Sequence, residues 1–478
     1  MPVNSVLISP KTDASPRRSL MLAGGGIRVA YQAGVMMALQ EQGLQFSHVD
    51  GTSGGIFNAG MLASGLTVCE ITRNWRKVSI KHFSSPSPLK SYFKPLNMKG
   101  YADADGIRNN VFPTLGIDWR KINANDGIQT TFNVCNFADK TVESISGHQV
   151  SEDHLIAGVS LPIVMPAIQI DGVWYSDSVW IKDTNLVEGV KRGAEELWLI
   201  WAIGNFSEYL PGALNQYVHM IEMSANGGLL EEYARIKLMK QQPNPDSDYI
   251  PGLKLHVIKP DIPLPLDTDL YLNKVDARTL INMGYADGKR YLQSIPPSGV
   301  PFSIEATKMK NPGSRLNFRY VFKGSLVYKS RTTSFHWYPS FCWREKDSKT
   351  ELSFVSSLKI NDDDNEISTF NNRIRFVNKE KQRILLAEMS CMLEGEQHHL
   401  QAELVLTNSI DWFLGIAFKR LKISLQRNTK LLAEGMLFNE FNDRLASVVS
   451  RNFRKQDGSC GNIVQRYKSL TKLYRYEF

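Results

Sequence analysis

Apolar residues are arranged in two different textures along this chain. Up to about residue 295, short apolar runs alternate with stretches in which apolar residues return every three or four positions. A strand at about 19–23 is followed by Val29, Ala33, Met36, Met37 and Leu39, which share one helical face. Gly43 then stops the helix. Val49 lies at the end of a second short strand, and Ile56 to Ala63 and residues 69–78 read as helices. Thr130 to Phe137 is predicted as a strand, with Thr141 to Ile145 as its hairpin partner. Glu195 to Ile203 holds the strongest apolar run, Leu197-Trp-Leu-Ile-Trp-Ala-Ile203, which is too short to cross a bilayer and reads as a buried strand. Tyr217 to Lys240 is a long helical pattern with a possible break at Gly227-Gly228. Lys254 to Ile258 and Asp276 to Gln293 complete the alternation as a strand and a helix. Strands alternating with helices imply an α/β sheet covered on both faces, with ligands gathered at the carboxyl ends of the strands.

From Pro296-Pro297 onward the long helical patterns stop. Segments 315–329, 333–343, 351–360, 373–377, 383–392, 400–407, 416–425 and 432–438 are short, rich in β-branched and aromatic residues, and separated by polar turns. They predict a β-rich domain over 300–478, an antiparallel sandwich or barrel. Residues 1–17, polar and carrying Pro2, Pro10 and Pro16, are expected to be a flexible tail. Residues 82–100, with Pro86, Pro88 and Pro95, read as a surface loop or a lid. Arg451 to Phe478 is basic and aromatic, a closing strand or a foot on a membrane surface.

Composition narrows the classes. With 478 residues, 42% apolar and 22% charged, the chain is long enough for two or three globular domains. Charge is uneven: residues 301–478 carry 29 Lys and Arg against 19 Asp and Glu, whereas the first 300 carry 27 against 29. The basic excess therefore lies in the C-terminal part, where it fits solvated surface, an anionic membrane or, as the most distant rival, nucleic acid. Cys69, Cys135, Cys342, Cys391 and Cys460 are odd in number and lack paired spacing, as expected of reduced thiols in a cytoplasmic protein. The nine histidines show no metal-binding spacing, so no metal is expected.

Two glycine-rich turns carry the candidate chemistry. Gly24-Gly25-Gly26 follows the first strand and opens a helix, which would aim backbone N–H groups at a developing negative charge. A dinucleotide fingerprint would need glycine at position 29, where Val29 stands. Gly51-Thr-Ser53-Gly54-Gly55 has the G-x-S-x-G form of a nucleophile elbow. On neighbouring strands the two turns would supply a serine nucleophile and an oxyanion hole. A serine needs a base, and His48, His82, His148 and His154 lie in no recognisable motif.

Gly24-Gly-Gly-Ile-Arg-Val-Ala-Tyr-Gln-Ala-Gly-Val35, then Asp50-Gly-Thr-Ser-Gly-Gly-Ile-Phe-Asn-Ala59, resembles the patatin-like phospholipase family, particularly its bacterial members. Ala157-Gly-Val-Ser-Leu-Pro162, Pro166 and Ile170-Asp-Gly-Val-Trp-Tyr-Ser-Asp177 agree with its small-residue–proline stretch and its aspartate segment. The resemblance runs from about residue 18 to 295. It implies a three-layer α/β/α hydrolase domain that uses a Ser-Asp dyad and no cofactor. Ser53 would be the nucleophile and Asp177 the base. Gly24, Gly25, Gly26 and Gly54 would form the oxyanion hole, with Arg28 supporting the loop. The implied substrates are phospholipids or related acyl lipids. The charge of the C-terminal domain, outside the resemblance, suggests peripheral membrane contact, and no nucleic-acid partner is expected. Two residues depart from the family pattern. Val29 stands where glycine usually follows the arginine, and Ser178-Val179 replaces the small pair after the aspartate. A bulky Val179 is expected to distort the aspartate loop if that loop needs glycine geometry. Asp171 and Asp183 are the other carboxylates considered for the base. The rival readings are a weak or inactive lipid-binding scaffold on a degenerate fold and a Ser-His-Asp esterase.

Overall fold

The computed structural model describes residues 7–8, 16–83, 85–86, 100, 102–205, 208–241, 252–265, 275–328, 330–347, 349–361, 365–379, 382–406, 420–439 and 452–454. Most of the segments expected as a tail (1–17) and a lid (82–100), nearly all of 451–478, and Cys460 lie outside these residues. Cys69, Cys135, Cys342 and Cys391 are free thiols. The chain divides into two compact units, one built from Ser5–Asp267 with Tyr291–Lys310, the other from Thr268–Arg290 with Asn311–Phe478.

The first unit is α/β. Its elements in order are β1 (Arg18–Leu22), α1 (Ala30–Glu41), β2 (His48–Thr52), α2 (Gly55–Ala63), α3 (Val68–Lys77), β3 (Gln129–Asn136), β4 (Thr141–Ser146), α4 (Glu152–Val159), β5 (Ile168–Ile170), β6 (Val173–Asp177), α5 (Leu186–Lys191), β7 (Glu196–Ile200), α6 (Ala213–Gln241) and β8 (Lys254–Ile258). The sheet order is β8-β7-β1-β2-β3-β6-β5, with β4 also pairing β3. β8, β7, β1, β2 and β3 run parallel. β4 and β6 are antiparallel to β3, and β5 is antiparallel to β6. β1 and β2 are buried along nearly their whole length, as continuous apolar strands between helical layers should be.

Local signals explain the helix limits. Thr67 and Glu70 form a reciprocal capping box that starts α3. The glycine pair in α6 does not break it. A Cβ on Gly228 would come 2.5 Å from the Ile181 carbonyl oxygen, so glycine there permits a close approach. Within the segment expected as a tail, Leu7 is buried and Ile8 forms a bridge to Phe46.

The second unit is a barrel. A helix, α7 (Ala277–Leu292), belongs to this unit as far as Arg290. It precedes β9 (Ser314–Arg319), β10 (Phe322–Tyr328), β11 (Arg331–Lys346), β12 (Lys349–Ile360), β13 (Ile367–Lys379), β14 (Gln382–Leu393), β15 (Glu396–Leu406), β16 (Arg420–Arg427), β17 (Lys430–Phe438) and β18 (Asn452–Arg454). Among the described residues, β10 to β17 pair consecutively and antiparallel, and β17 returns to β10, closing the sheet. β9 pairs the far end of β11, and β18 pairs β9. Of the two all-β arrangements expected, this is the barrel. Alternation is strict along β11: Thr333, Phe335, Trp337, Pro339, Phe341 and Trp343 are buried. Phe322 stacks on Trp337 at 5.7 Å and Phe318 on Phe341 at 5.2 Å. An eight-stranded barrel is just wide enough for side chains to fill it, and these aromatics do so. Within this unit α7 lies on β11 to β13. The Arg278 guanidinium forks onto Glu366 at 2.8–3.0 Å, and Ser368 hydrogen-bonds Asn282 at 2.7 Å. Among the described residues no helix is long and apolar enough to cross a membrane.

Candidate active site

Ser53 opens the two-residue junction, Ser53-Gly54, between β2 and α2 and has φ 49°, in the left-handed region. A non-glycine residue there is strained, and strain of this kind collects at functional turns. The glycines around it are required by space. A Cβ on Gly55 would strike the Leu22 carbonyl, and one on Gly54 would strike the backbone of Gly26. The serine turn and the glycine turn are therefore packed backbone to backbone, which only residues without side chains allow.

Register explains how Ser53 meets its acid. β2 and β6 share one edge of β3, with Thr52 opposite Asn133 and Asp177 opposite the next residue, Val134. The two strands run in opposite senses and meet head on, so their C-terminal residues converge. The Ser53 hydroxyl donates to Asp177 Oδ2 at 2.6 Å. The other carboxylate oxygen accepts the Val179 N–H at 2.9 Å, and the Asp177 N–H donates to the Ser160 carbonyl at 3.1 Å. Residues 178–180 form a 3-10 turn with no positive φ, so the loop does not need glycine geometry. The distortion expected from Val179 is absent, and its N–H fixes the carboxylate.

The glycine turn lies on the other side of Ser53. Gly25 has φ 147° and Gly26 φ 58°, conformations that favour glycine. Arg28 closes the turn, its backbone N–H and Nε both donating to the Gly25 carbonyl at 3.2 and 2.9 Å. Of the four expected oxyanion donors, Gly24 is already engaged. Its N–H donates to the carbonyl and to Oδ2 of Asp183 at 3.3 and 3.1 Å. The N–H groups of Gly25, Gly26 and Gly54 have no hydrogen-bond partner among the described residues.

Burial sets the electrostatics. Asp177 is 1% exposed, and desolvation lifts its carboxyl from 3.8 to about 7, against the opposing pull of the Ser53 and Val179 hydrogen bonds. Asp183 is pushed well above its ordinary range by burial and by the charge of Asp177, which its bond from Gly24 and the charge of Arg28 oppose. Asp171 lies apart, at φ 49° in the β5–β6 hairpin turn.

The histidines near the motifs serve the fold. His48 is buried between Ser19 Oγ and Thr131 Oγ1 at 3.0 and 2.9 Å, and burial, then Arg192, lowers its basicity to about 3. Thr131 donates to Asp50, so His48 Nε2 carries the proton and donates to Thr131. His154 caps α4 through Ser151.

Several supporting residues carry no sequence signal of their own. Asn58 Nδ2 donates to the Val29 carbonyl and to Gln32 Oε1, both at 2.9 Å, and Trp75 Nε1 donates to Asn58 Oδ1 at 2.8 Å. Asn133 joins Asp50 and Thr52 beneath the elbow. Tyr217 on α6 donates to the Pro162 carbonyl at 2.8 Å and packs edge-on against Trp180. Each is a buried or half-buried amide or aromatic, indistinguishable in sequence from an ordinary core or helix position.

The model of the patatin-like phospholipase family matches residues 20–189 of this chain, the span that holds both glycine turns, Ser53 and Asp177. Over that span the chain is similar to patatin-like phospholipases. Two curated proteins, the lysophospholipases NTE1 of Candida glabrata and of Saccharomyces cerevisiae, are similar to the region. They are 23% identical over 192 residues and 25% over 181, which is 40% and 38% of this chain. The chain spans about a tenth of the length of these relatives, 11% and 10%. Among solved structures, VipD from Legionella pneumophila aligns with a TM-score of 0.31 and 14% identity, covering 62% of this chain and 71% of that one. Within the patatin-like domain, the Ser53–Asp177 hydrogen bond and the glycine turn lie among the matched residues.

Proposed function

We propose that this chain is a serine lipid acyl hydrolase, of phospholipase A or lysophospholipase type, with Ser53 as nucleophile and Asp177 as its base. The observation that carries the reading is the 2.6 Å hydrogen bond from Ser53 to a buried carboxylate whose proton affinity is near neutrality. A base works best when its pKa lies near the working pH. Asp177 takes the Ser53 proton as Oγ attacks the ester carbonyl. The free N–H groups of Gly25, Gly26 and Gly54 receive the oxyanion. Asp177 then returns the proton to the departing alcohol, leaving an acyl-serine. In the second half Asp177 deprotonates water, which attacks the acyl carbonyl, and the proton goes back to Ser53 as the fatty acid leaves. The chemistry needs no cofactor. The match to the phospholipase family and the similarity to two lysophospholipases favour a lipid ester as substrate. The basic excess of residues 301–478 would favour a peripheral position on an anionic membrane, with the protein otherwise in the cytoplasm.

The test is release of fatty acid from lysophosphatidylcholine and from diacyl phosphatidylcholine by the wild type and Ser53→Ala. Release that disappears in the variant supports the reading. Equal release by both proteins, or none by either, contradicts it.

A further inference from the structure

Asp183 is the buried acid that the proposed mechanism leaves without a task. Its carboxyl is wedged beneath the glycine turn. Oδ2 accepts the Gly24 N–H at 3.1 Å, and the Asp183 carbonyl accepts the same N–H at 3.3 Å. A Cβ on Gly24 would overlap Asp183 Oδ1 and would come 2.8 Å from Ser53 Cβ, so the acid and the nucleophile crowd the same face of Gly24. Oδ1 is buried and has no hydrogen-bond partner. The acid therefore touches the turn that would hold the oxyanion, next to the serine that would create it.

We propose that Asp183 is a positioning residue that seats the glycine turn over Ser53, and that it does so as the neutral acid. This rests on the hydrolase reading above. The charge argument starts from what surrounds the carboxyl. Asp177 faces it from the end of β6, as a like charge whenever it is ionised. Arg28 is the cation facing it from the turn, and Arg28 is itself shared with Glu222 of α6, which His219 also approaches. Tyr217 of α6, which faces Asp177, stays neutral, burial and then the Asp177 charge raising its hydroxyl to about 12. An ionised Asp183 would be a buried anion with one oxygen unpaired, beside a second carboxylate and close to a developing oxyanion. Each of these features opposes ionisation and, were it to occur, opposes catalysis. As the neutral acid it keeps the Gly24 bond and adds no negative charge to the site. Burial, with Asp177, moves its titration in the same direction.

The test is the pH dependence of kcat and KM from pH 6 to 10 on a soluble p-nitrophenyl ester, for the wild type, Asp183→Ala and Asp183→Asn. Asp183→Ala removes the brace. Because the turn acts on the oxyanion, kcat should fall about 10²-fold while KM changes less than about threefold. Asp183→Asn keeps an oxygen for Gly24 and an N–H donor where the acid has O–H, so it should recover most of that loss. The wild type should lose activity at alkaline pH as Asp183 ionises, and Asp183→Asn should not. A wild-type rate in Asp183→Ala would overturn the positioning role. An alkaline fall of equal size in Asp183→Asn, or an Asp183→Asn as impaired as Asp183→Ala, would overturn the neutral acid. No turnover by the wild type at any pH would instead overturn the hydrolase reading, and this one with it.

Discussion

Replacing Asp177 with asparagine should cost activity and return stability, and the return should depend on pH. Burial moves this carboxyl from 3.8 to about 7 in the folded protein. At 1.36 kcal/mol per unit, the fold pays about 4 kcal/mol to keep the anion above neutrality. The sign follows from proton counts. Between pH 4 and 7 the folded state holds a proton on Asp177 that the unfolded state has lost, so stability from this group is full below pH 4. It is lost as pH rises to about 7. Asparagine has nothing to ionise, and its amide can serve both contacts, with Oδ1 accepting the Val179 N–H and Nδ2 donating to Ser53. Asp50 also titrates with raised affinity, but it is common to both proteins and cancels in the comparison. Asp183, whose proton affinity the Asp177 charge helps to raise, loses that contribution in the variant, which shifts the difference in the same direction. The expected result is a stability difference between Asp177→Asn and wild type that grows by about 3 kcal/mol from pH 4.5 to pH 8. Urea titrations at a series of pH values, following the transition of the α/β unit, measure it. In parallel, wild-type kcat/KM on a p-nitrophenyl ester should rise about tenfold per pH unit below 7 and level off above it until the alkaline fall assigned to Asp183 begins, and the variant should lose about 10²–10⁴-fold. A stability difference independent of pH, together with a flat wild-type rate profile, would refute the buried-base argument.

Two other perturbations follow from the geometry. Gly24→Ala places a methyl against the Asp183 carboxyl and 2.8 Å from Ser53 Cβ. It should lower kcat by about 10²–10³-fold through displacement of the turn, with the circular dichroism spectrum of a folded protein; unaltered kcat would contradict the packing described. In the barrel unit, Glu366→Ala strips Arg278 of its fork and Ser357 of a 2.9 Å acceptor. With Arg278 about a third exposed, the loss should be about 2 kcal/mol, toward the low side for a broken buried pair, and urea unfolding of that unit reads it.

The sequence was informative where backbone geometry dictates residue type. Gly25, Gly26, Gly54 and Gly55 are legible because no other residue fits a positive φ or a carbonyl in van der Waals contact. The alternating Phe335, Trp337, Phe341 and Trp343 announced a strand, but alternation is common to sandwiches and barrels. Closure depends on the pairing of β10 with β17, more than a hundred residues apart, which no local pattern encodes. Gly227-Gly228 suggested a break because glycine weakens helices, whereas here it admits the Ile181 carbonyl. Val179 looked like an obstacle because only its side chain is visible in sequence, and its contribution is a backbone N–H. Asp183 was one acid among several until its Gly24 bond and unpaired oxygen set it apart.

The central claim is that Ser53 is a nucleophile activated by Asp177. Its most direct measurement is the site and rate of covalent labelling by a fluorophosphonate, read by peptide mass spectrometry at pH 8. The account predicts one adduct, on Ser53, formed by the wild type, absent in Ser53→Ala and slowed at least 10²-fold in Asp177→Asn. A wild type that resists the probe, or an adduct on another residue, would contradict it.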